Sequence, residues 1–284
     1  MSRIEYDPVK DKFARFVRRS RLLRRLFYFL LDLFFLRSWH LRRQILHYGK
    51  QFDKKNSRGK WNLLDAGCGF GQYDRFVLSK FRNVSVTAVD VKHQYLDDSS
   101  HYFKKGVETG RIRFNKVDLL NPGLDRDFDM VICIDVLEHI EDDVKVIGNI
   151  QQVLKPGGVF IMHSPSHYSE EDADEDESFV GEHARAGYSK EDITQKLQKA
   201  GLEVSEVHYT YGFWGHKAWI LSVKWPMIWF NKLGLAAIVP LLLYYPVVMP
   251  FCLIMNAADL FTKNEKGNGI YAVAKNSKST EALA

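Results

Sequence analysis

Leu63-Leu64-Asp65-Ala66-Gly67-Cys68-Gly69-Phe70-Gly71 decides the fold: an apolar run ends in an acid, and three glycines then alternate with other residues. The run is too short for a helix and is flanked by turn residues, so it predicts a short buried strand. A backbone that turns sharply from strand into helix while a ligand lies against it cannot carry Cβ atoms at the points of closest approach, which accounts for the glycines. Gln72 to Lys80 then predicts a helix whose free N–H groups point back at that ligand. The stretch therefore marks a nucleotide-type cofactor site built on Asp65, Gly67, Cys68, Gly69 and Gly71. Cys68 reads better as a small residue suited to a tight turn than as a nucleophile.

Working outward, Val84 to Asp90 is a second β-branched run ending in an acid, and Asp90 follows Gly67 by 23 positions. A carboxylate there can accept from both hydroxyls of a ribose. Ile112 to Asp118 is a third short strand closing on an acid. Phe128 to His139 reads as a fourth strand running into a helix, and Val153-Leu154-Lys155-Pro156-Gly157-Gly158 closes a helix before a fifth strand at Val159 to Met162. The dinucleotide fingerprint needs a third glycine where this chain has Gln72, which disfavours a nicotinamide oxidoreductase.

The D-x-G-x-G-x-G pattern of Asp65 to Gly71, with D-V-L-E-H at Asp135 to His139 and L-K-P-G-G at Leu154 to Gly158, resembles the class I S-adenosylmethionine-dependent methyltransferases. Within them it is similar to the type 11-like core of the quinone-biosynthesis enzymes. The resemblance covers roughly Trp61 to Phe213 and a last strand near the C-terminus. It implies an α/β, Rossmann-like fold: a seven-stranded, mostly parallel sheet with the last strand antiparallel and helices on both faces. It also implies S-adenosyl-L-methionine as cofactor, with the site extended to Asp90, Val91, Asp118, Leu119 and Ile134, Asp118 lying near the adenine amino group.

A chain of 284 residues leaves room for additions to such a core. Its three cysteines, Cys68, Cys133 and Cys252, make no metal spacing and cannot staple a fold, which suits a reducing compartment. The net charge of +5 hides an asymmetry: residues 1–60 carry 17 Lys or Arg against 5 Asp or Glu, a net of +12, which leaves −7 on the rest. A basic leader points to a polyanionic surface. Leu22 to Leu36 is too aliphatic and aromatic for a nucleic-acid arm, too short to cross a bilayer and, with Asp32 and no cleavage site, unlike a signal peptide. Flanked by Arg18, Arg19, Arg21, Arg37, Arg42 and Arg43, it reads as an interfacial helix among anionic headgroups, or as a buried helix capping the substrate cleft. Both fit, because the resembled family commonly carries an N-terminal helical cap.

Leu233 to Met255 is a second apolar segment, 23 residues without charge, punctuated by Pro240, Pro246 and Pro250 that disfavour a straight helix. It falls between Leu202 to Tyr211 and Gly267 to Lys275, the expected last two strands. If both belong to one sheet, the insert must leave and return on one side of the membrane, so a monotopic or re-entrant helical hairpin is expected. Trp214, Trp219, Trp225, Trp229, Tyr244 and Tyr245 suit the headgroup boundary. Packing on the domain or in a dimer interface is the alternative. The expected organisation is a basic helical region at 1–60, the core at 61–211, the insert at 212–266, the final strand at 267–276 and a tail at 277–284.

Methyl transfer is an in-line displacement that needs alignment and exclusion of water, and a hydroxyl acceptor also needs a base. His139 and His167 are the first candidates, with His163 behind them, all near the carboxyl edge where open α/β sheets bind ligands; His183 also stands behind them, because it precedes Arg185 to Ser189, a segment the resembled family usually places near the substrate. The run Glu170 to Glu177 holds seven carboxylates in eight positions and reads as a solvated loop. The expected function is methylation of a lipophilic or membrane-associated small molecule (a quinone or other isoprenoid, or a lipid headgroup) at the cytoplasmic face of a membrane. A non-catalytic membrane adaptor and a methyltransferase of a soluble molecule are the alternatives.

Overall fold

A computed structural model of the protein describes residues 20–56, 59–169 and 184–277. The expectations for the first nineteen residues, the acidic run, His183 and the tail lie outside them. The β-branched runs form one seven-stranded sheet: β1 (Trp61–Ala66), β2 (Val84–Asp90), β3 (Ile112–Lys116), β4 (Phe128–Ile134), β5 (Leu154–Pro165), β6 (Leu202–Thr210) and β7 (Gly269–Asn276). Their order is β3-β2-β1-β4-β5-β7-β6. β1 to β5 run parallel, and β7 is antiparallel to both β5 and β6, as the resemblance implies.

The central strands are apolar on both faces because helices cover both. On one side, α2 (Leu36–Lys55), α3 (Gln72–Lys80) and α4 (His93–Tyr102) pack Leu41, Ile45, Phe76, Val77 and Leu96 onto Trp61, Val86 and Ile161. A short α5 (Lys104–Glu108) leads into β3. On the other side, α6 (Asp143–Val153) and α7 (Lys190–Lys199) pack Val146, Ile150, Ile193 and Leu197 onto Val131, Phe160 and Ala272. The Lys155-Pro156-Gly157-Gly158 turn, expected to precede the fifth strand, lies inside β5 as a bulge. Leu154 pairs with Phe128 and Val159 already pairs with Met130, while Gly157 takes φ +74°.

Upstream of the core, α1 (Arg21–Phe34) is capped by Ser20, whose side chain accepts from the Leu22 amide. Between β6 and β7 the insert is helical throughout. It runs out through α8 (Phe213–Trp219), a π-helical turn (Ile220–Lys224) and α9 (Trp225–Leu233), reverses at Gly234 (φ +56°), and returns through α10 (Ile238–Phe261). Pro226 has no amide to offer the Ser222 carbonyl one turn earlier, and the Tyr245 hydroxyl donates to that carbonyl instead, at 3.0 Å. Tyr244 does the same for Leu221 at 2.9 Å. The prolines were expected to interrupt the return segment. Instead α10 runs unbroken through Pro246 and Pro250, and Pro240 falls in its first turn, where amides lack helical partners anyway.

The insert is bolted to the core at its base. Asp259, fully buried, accepts from the Gly215 amide at 3.0 Å and the Asn264 side chain at 3.1 Å, with His40 Nε2 at 3.5 Å. Replacing Asp259 with Ala strands these donors in a dry neck. It should lower the unfolding free energy by roughly 2–4 kcal/mol, with Asp259→Asn milder because one oxygen still accepts. Urea titration followed by tryptophan fluorescence reads this directly, and an unchanged midpoint for D259A would show that the neck is held elsewhere.

Candidate active site

The strand-to-helix turn after β1 uses three left-handed glycines: Gly67 at φ +87°, Gly69 at +49° and Gly71 at +73°. The amides of Gly67 and Cys68 donate to the Val89 carbonyl at 2.8 and 2.9 Å, which fixes the loop to β2. A Cβ on Gly67 would lie 2.3 Å from Val136 Cγ2, and one on Gly71 would lie 2.9 Å from the Phe103 ring. Gly69 is different, because a Cβ there would meet nothing within 4 Å. Its left-handed backbone opens onto space, as a surface for a close-lying ligand requires.

Around that space the chain sets polar groups. Asp90 accepts from the Gly69 amide at 3.0 Å through one carboxylate oxygen and from the Lys92 amide at 2.9 Å through the other. The carboxylate is thus fixed, with lone pairs to spare for a diol. Asp65 and Asp74 lie buried side by side behind the loop. Burial and their mutual repulsion hold the Asp65 carboxyl well above the usual carboxylate range, and burial pushes Asp74 up to about 7. Asp65 Oδ2 and both Asp74 oxygens have no other hydrogen-bond partner among the described residues, so the pair is satisfied by a shared proton or by a cation brought to it. An open glycine, orphaned acidic oxygens, a pinned carboxylate and the N-terminus of α3 fit an adenosyl amino acid carrying an ammonium and a carboxylate. S-adenosylmethionine is such a molecule.

The other expected cofactor residues take graded positions. Cys68 is buried and its thiol is pushed up by burial, which suits a turn residue and not a nucleophile. Val91 is exposed beside Asp90, while Asp118 is exposed and accepts from the Leu120 amide at 2.9 Å. Leu119 is buried in the core cluster under α6, and Ile134, half-buried, ends β4.

A second cluster gathers at the carboxyl ends of β4 and β5, beside the switch point between β1 and β4. Asp135 sits at φ 53° and Tyr211 at φ 55°, the two non-glycine residues with positive φ among those described. Arg37 touches both: its guanidinium pairs with Asp135 Oδ2, and its amide donates to the Tyr211 hydroxyl at 3.2 Å. Asp135 Oδ1 lies 2.6 Å from His163 Nδ1, and His163 Nε2 lies 3.3 Å from Thr210 Oγ1. Burial and the nearby Arg37 charge lower His163 to about 3, so it is a neutral ring. Strained backbone around one arginine is the kind of arrangement found at functional sites. Glu138 is buried beside it, accepts from Ser164 Oγ at 2.8 Å and is pushed up to about 7 by burial.

Of the four histidine candidates, only His163 meets Asp135 among the described residues. His167 is half-buried on the turn after β5, with Nδ1 3.3 Å from the Tyr188 carbonyl and its ring 3.9 Å from that of Tyr168. His139 is exposed on the turn after β4, and His183 lies outside the described residues. Arg37, expected among anionic headgroups, instead pairs with Asp135, and neither Asp135 nor Tyr211 was singled out from the sequence as a site residue. Asp135 stood in the D-V-L-E-H phrase itself, whereas nothing local marked Arg37 or Tyr211 for this cluster.

Two predictions follow from this geometry. Gly69→Ala should cost the fold only about 1–2 kcal/mol of left-handed strain but weaken calorimetric binding of S-adenosylmethionine at least tenfold; unchanged affinity would mean that the ligand lies elsewhere. Glu138 and Asp74 carry raised pKa values, so the stability they contribute is full below pH 4 and is lost as pH rises towards 7. Unfolding free energy should therefore fall between pH 4 and pH 7, and Glu138→Gln should remove roughly 2 kcal/mol of that fall. A wild-type stability that rises over the interval would contradict the assignment.

The chain is similar to known proteins in sequence and in fold. Residues 64–160 match the family described as "Methyltransferase domain". The chain is 33% identical over 99 residues to a sterol 24-C-methyltransferase of Neurospora crassa, covering 34% of this chain and 26% of that protein. It is 32% identical over 108 residues to a ubiquinone biosynthesis O-methyltransferase of Rickettsia canadensis, covering 38% and 44%. The chain thus spans less than half the length of these curated relatives. In fold it is similar to phosphoethanolamine N-methyltransferase 2 of Haemonchus contortus solved with S-adenosyl-L-methionine, with a TM-score of 0.58 and 21% identity over 93% of this chain and 60% of that one. Residues 64–160 thus carry a methyltransferase domain, and the sheet order and glycine loop around it are those of the class I S-adenosylmethionine-dependent fold.

Proposed function

We propose that the protein transfers a methyl group from S-adenosylmethionine to a lipophilic acceptor met at the cytoplasmic face of a membrane: a quinone or other isoprenoid, or a lipid headgroup. The observation that carries this reading is a set of exposed apolar side chains on the two elements that flank the Arg37 cluster. Leu26, Phe29 and Leu30 on α1 are exposed, as are Leu235, Val239, Leu242, Leu243 and Phe251 on the hairpin. The two elements meet where the Phe34 and Tyr245 rings stand 5.4 Å apart. Tyr245 lies in the N-terminal third of α10, so the C-terminal end of α1 meets the hairpin away from its base. Exposed Arg21 and Arg25 flank the α1 stripe and suit anionic headgroups. A ubiquinone enzyme and a sterol enzyme among the relatives support the acceptor class, since quinone tails and sterols both partition into lipid.

When bound, the cofactor supplies a methyl group activated by a sulfonium. The chain supplies the rest. Asp65, Gly67, Cys68, Gly69, Gly71 and Asp90 hold the donor, with Val91, Asp118, Leu119 and Ile134 around its adenosine. Arg37 and Asp135 present a fixed charge pair to the acceptor. His163 is committed to Asp135 and Thr210, and it holds Asp135 in place; it is not a proton acceptor. For a hydroxyl acceptor, His139 or His167 at the sheet edge takes the proton.

Incubation of the full-length protein with methyl-labelled cofactor and a total lipid extract should place label in the organic phase. His139→Ala or His167→Ala should cut that rate tenfold or more with cofactor affinity unchanged. Label confined to water-soluble products would overturn the lipophilic acceptor. No cofactor binding at millimolar concentration would leave a membrane adaptor.

A further inference from the structure

Helix α1 is built inside out. Arg24 and Tyr28 are buried against the core, while Leu22, Leu26, Phe29 and Leu30 face outward. The inward contacts end on the cofactor loop. Arg24 donates to the Phe70 carbonyl at 2.9 Å, the Asp98 carbonyl at 2.8 Å, Ser99 Oγ at 2.9 Å and Tyr28 Oη at 2.8 Å. The Tyr28 hydroxyl donates to the same Phe70 carbonyl, and Phe70 lies between Gly69 and Gly71. Further along α1, Asp32 accepts from Gln72, the first residue of α3, at 2.9 Å.

We infer that α1 is a bilayer-coupled clasp on the cofactor loop: lipid docking on its outer face and cofactor binding under its inner face stabilise the same closed arrangement. The inference rests on the membrane-proximal methyltransferase reading above and adds the regulation of that site. In water, the closed position leaves four large apolar side chains exposed and is held by hydrogen bonds together with the ring contacts Phe27–Phe70 and Tyr28–Tyr102. At a bilayer the same position turns those four side chains into lipid, beside a hairpin that α1 meets at Phe34 and Tyr245. Lipid therefore binds the closed state in preference, and a ligand shifts an equilibrium by its differential affinity for the two states. Closure also fixes the Phe70 carbonyl and with it the left-handed turn at Gly69, so the cofactor selects the same state. Linkage then requires reciprocity: lipid tightens the cofactor by the factor by which the cofactor tightens lipid.

The test measures S-adenosylhomocysteine affinity of the full-length protein by equilibrium dialysis, with and without phosphatidylcholine–phosphatidylglycerol vesicles, alongside vesicle sedimentation. Vesicles should lower the dissociation constant about fivefold or more, and S-adenosylhomocysteine should raise the sedimenting fraction by the matching factor. The double variant L26S/F29S alters only the outer stripe. It should keep the vesicle-free affinity and still sediment through the hairpin, yet lose the enhancement. Arg24→Ala should weaken binding with vesicles present and also lose it. Wild-type protein that sediments but shows one affinity in both conditions overturns the clasp and leaves the methyltransferase reading intact. Full enhancement in L26S/F29S overturns the role of α1, and failure of the wild type to sediment overturns the membrane reading and the clasp together.

Discussion

A buried guanidinium that meets no carboxylate among the described residues sets the terms for the rest of this molecule. Arg24 is almost wholly enclosed, and its acceptors among the described residues are two carbonyls and two hydroxyls, with the Tyr102 ring 4.7 Å from its charge. A desolvated charge without a counter-ion is tolerable only where several acceptors converge. Here they converge where the glycine loop turns its Phe70 carbonyl outward and α4 offers the Asp98 carbonyl and Ser99. That requirement fixes the rotation of α1 about its axis. With position 24 inward, positions 22, 26, 29 and 30 must point away, since they share the opposite face of a 3.6-residue helix. The exposed stripe is therefore a consequence of how the loop is held.

The same reasoning separates what the sequence makes legible from what it hides. Strand identities, their parallel order, the glycine turn and Asp90 follow from local patterns: apolar runs of strand length, acids at their ends and glycines where φ is positive. The sense of the insert followed from topology, because β6 and β7 must pair. Arg37, Asp135 and Tyr211 meet across separations of 98 and 174 positions, and no local pattern encodes such a meeting. α1 shows the limit most clearly. Its strong amphipathicity predicts an interfacial or a core-packed helix equally well, and only the acceptors around Arg24 decide which face turns in. Among the histidines, position in sequence favoured His139 and His167, whereas burial and partners give His163 a structural duty toward Asp135.

The insertion point explains how so large an apolar element leaves the sheet undisturbed. β7 is an interior strand between β5 and β6, so its register is fixed on both edges regardless of what precedes it. The neck is correspondingly tight: a Cβ on Gly212 would lie 2.1 Å from Asn264, and one on Gly267 would lie 2.4 Å from the Thr210 carbonyl. The Asn268 amide closes the neck by donating to the Tyr211 carbonyl at 3.3 Å. Tyr211 thus belongs to the neck through its backbone and to the Arg37 cluster through its hydroxyl, which accepts from the Arg37 amide. Its left-handed backbone is what lets one residue serve both. Arg37 follows directly on the α1–α2 joint, and Asp135 follows β4. One salt bridge, with Tyr211 behind it, therefore joins the end of the α1 clasp, the neck of the apolar hairpin and the carboxyl edge of the sheet. The glycine loop stands across the switch point from that charge pair.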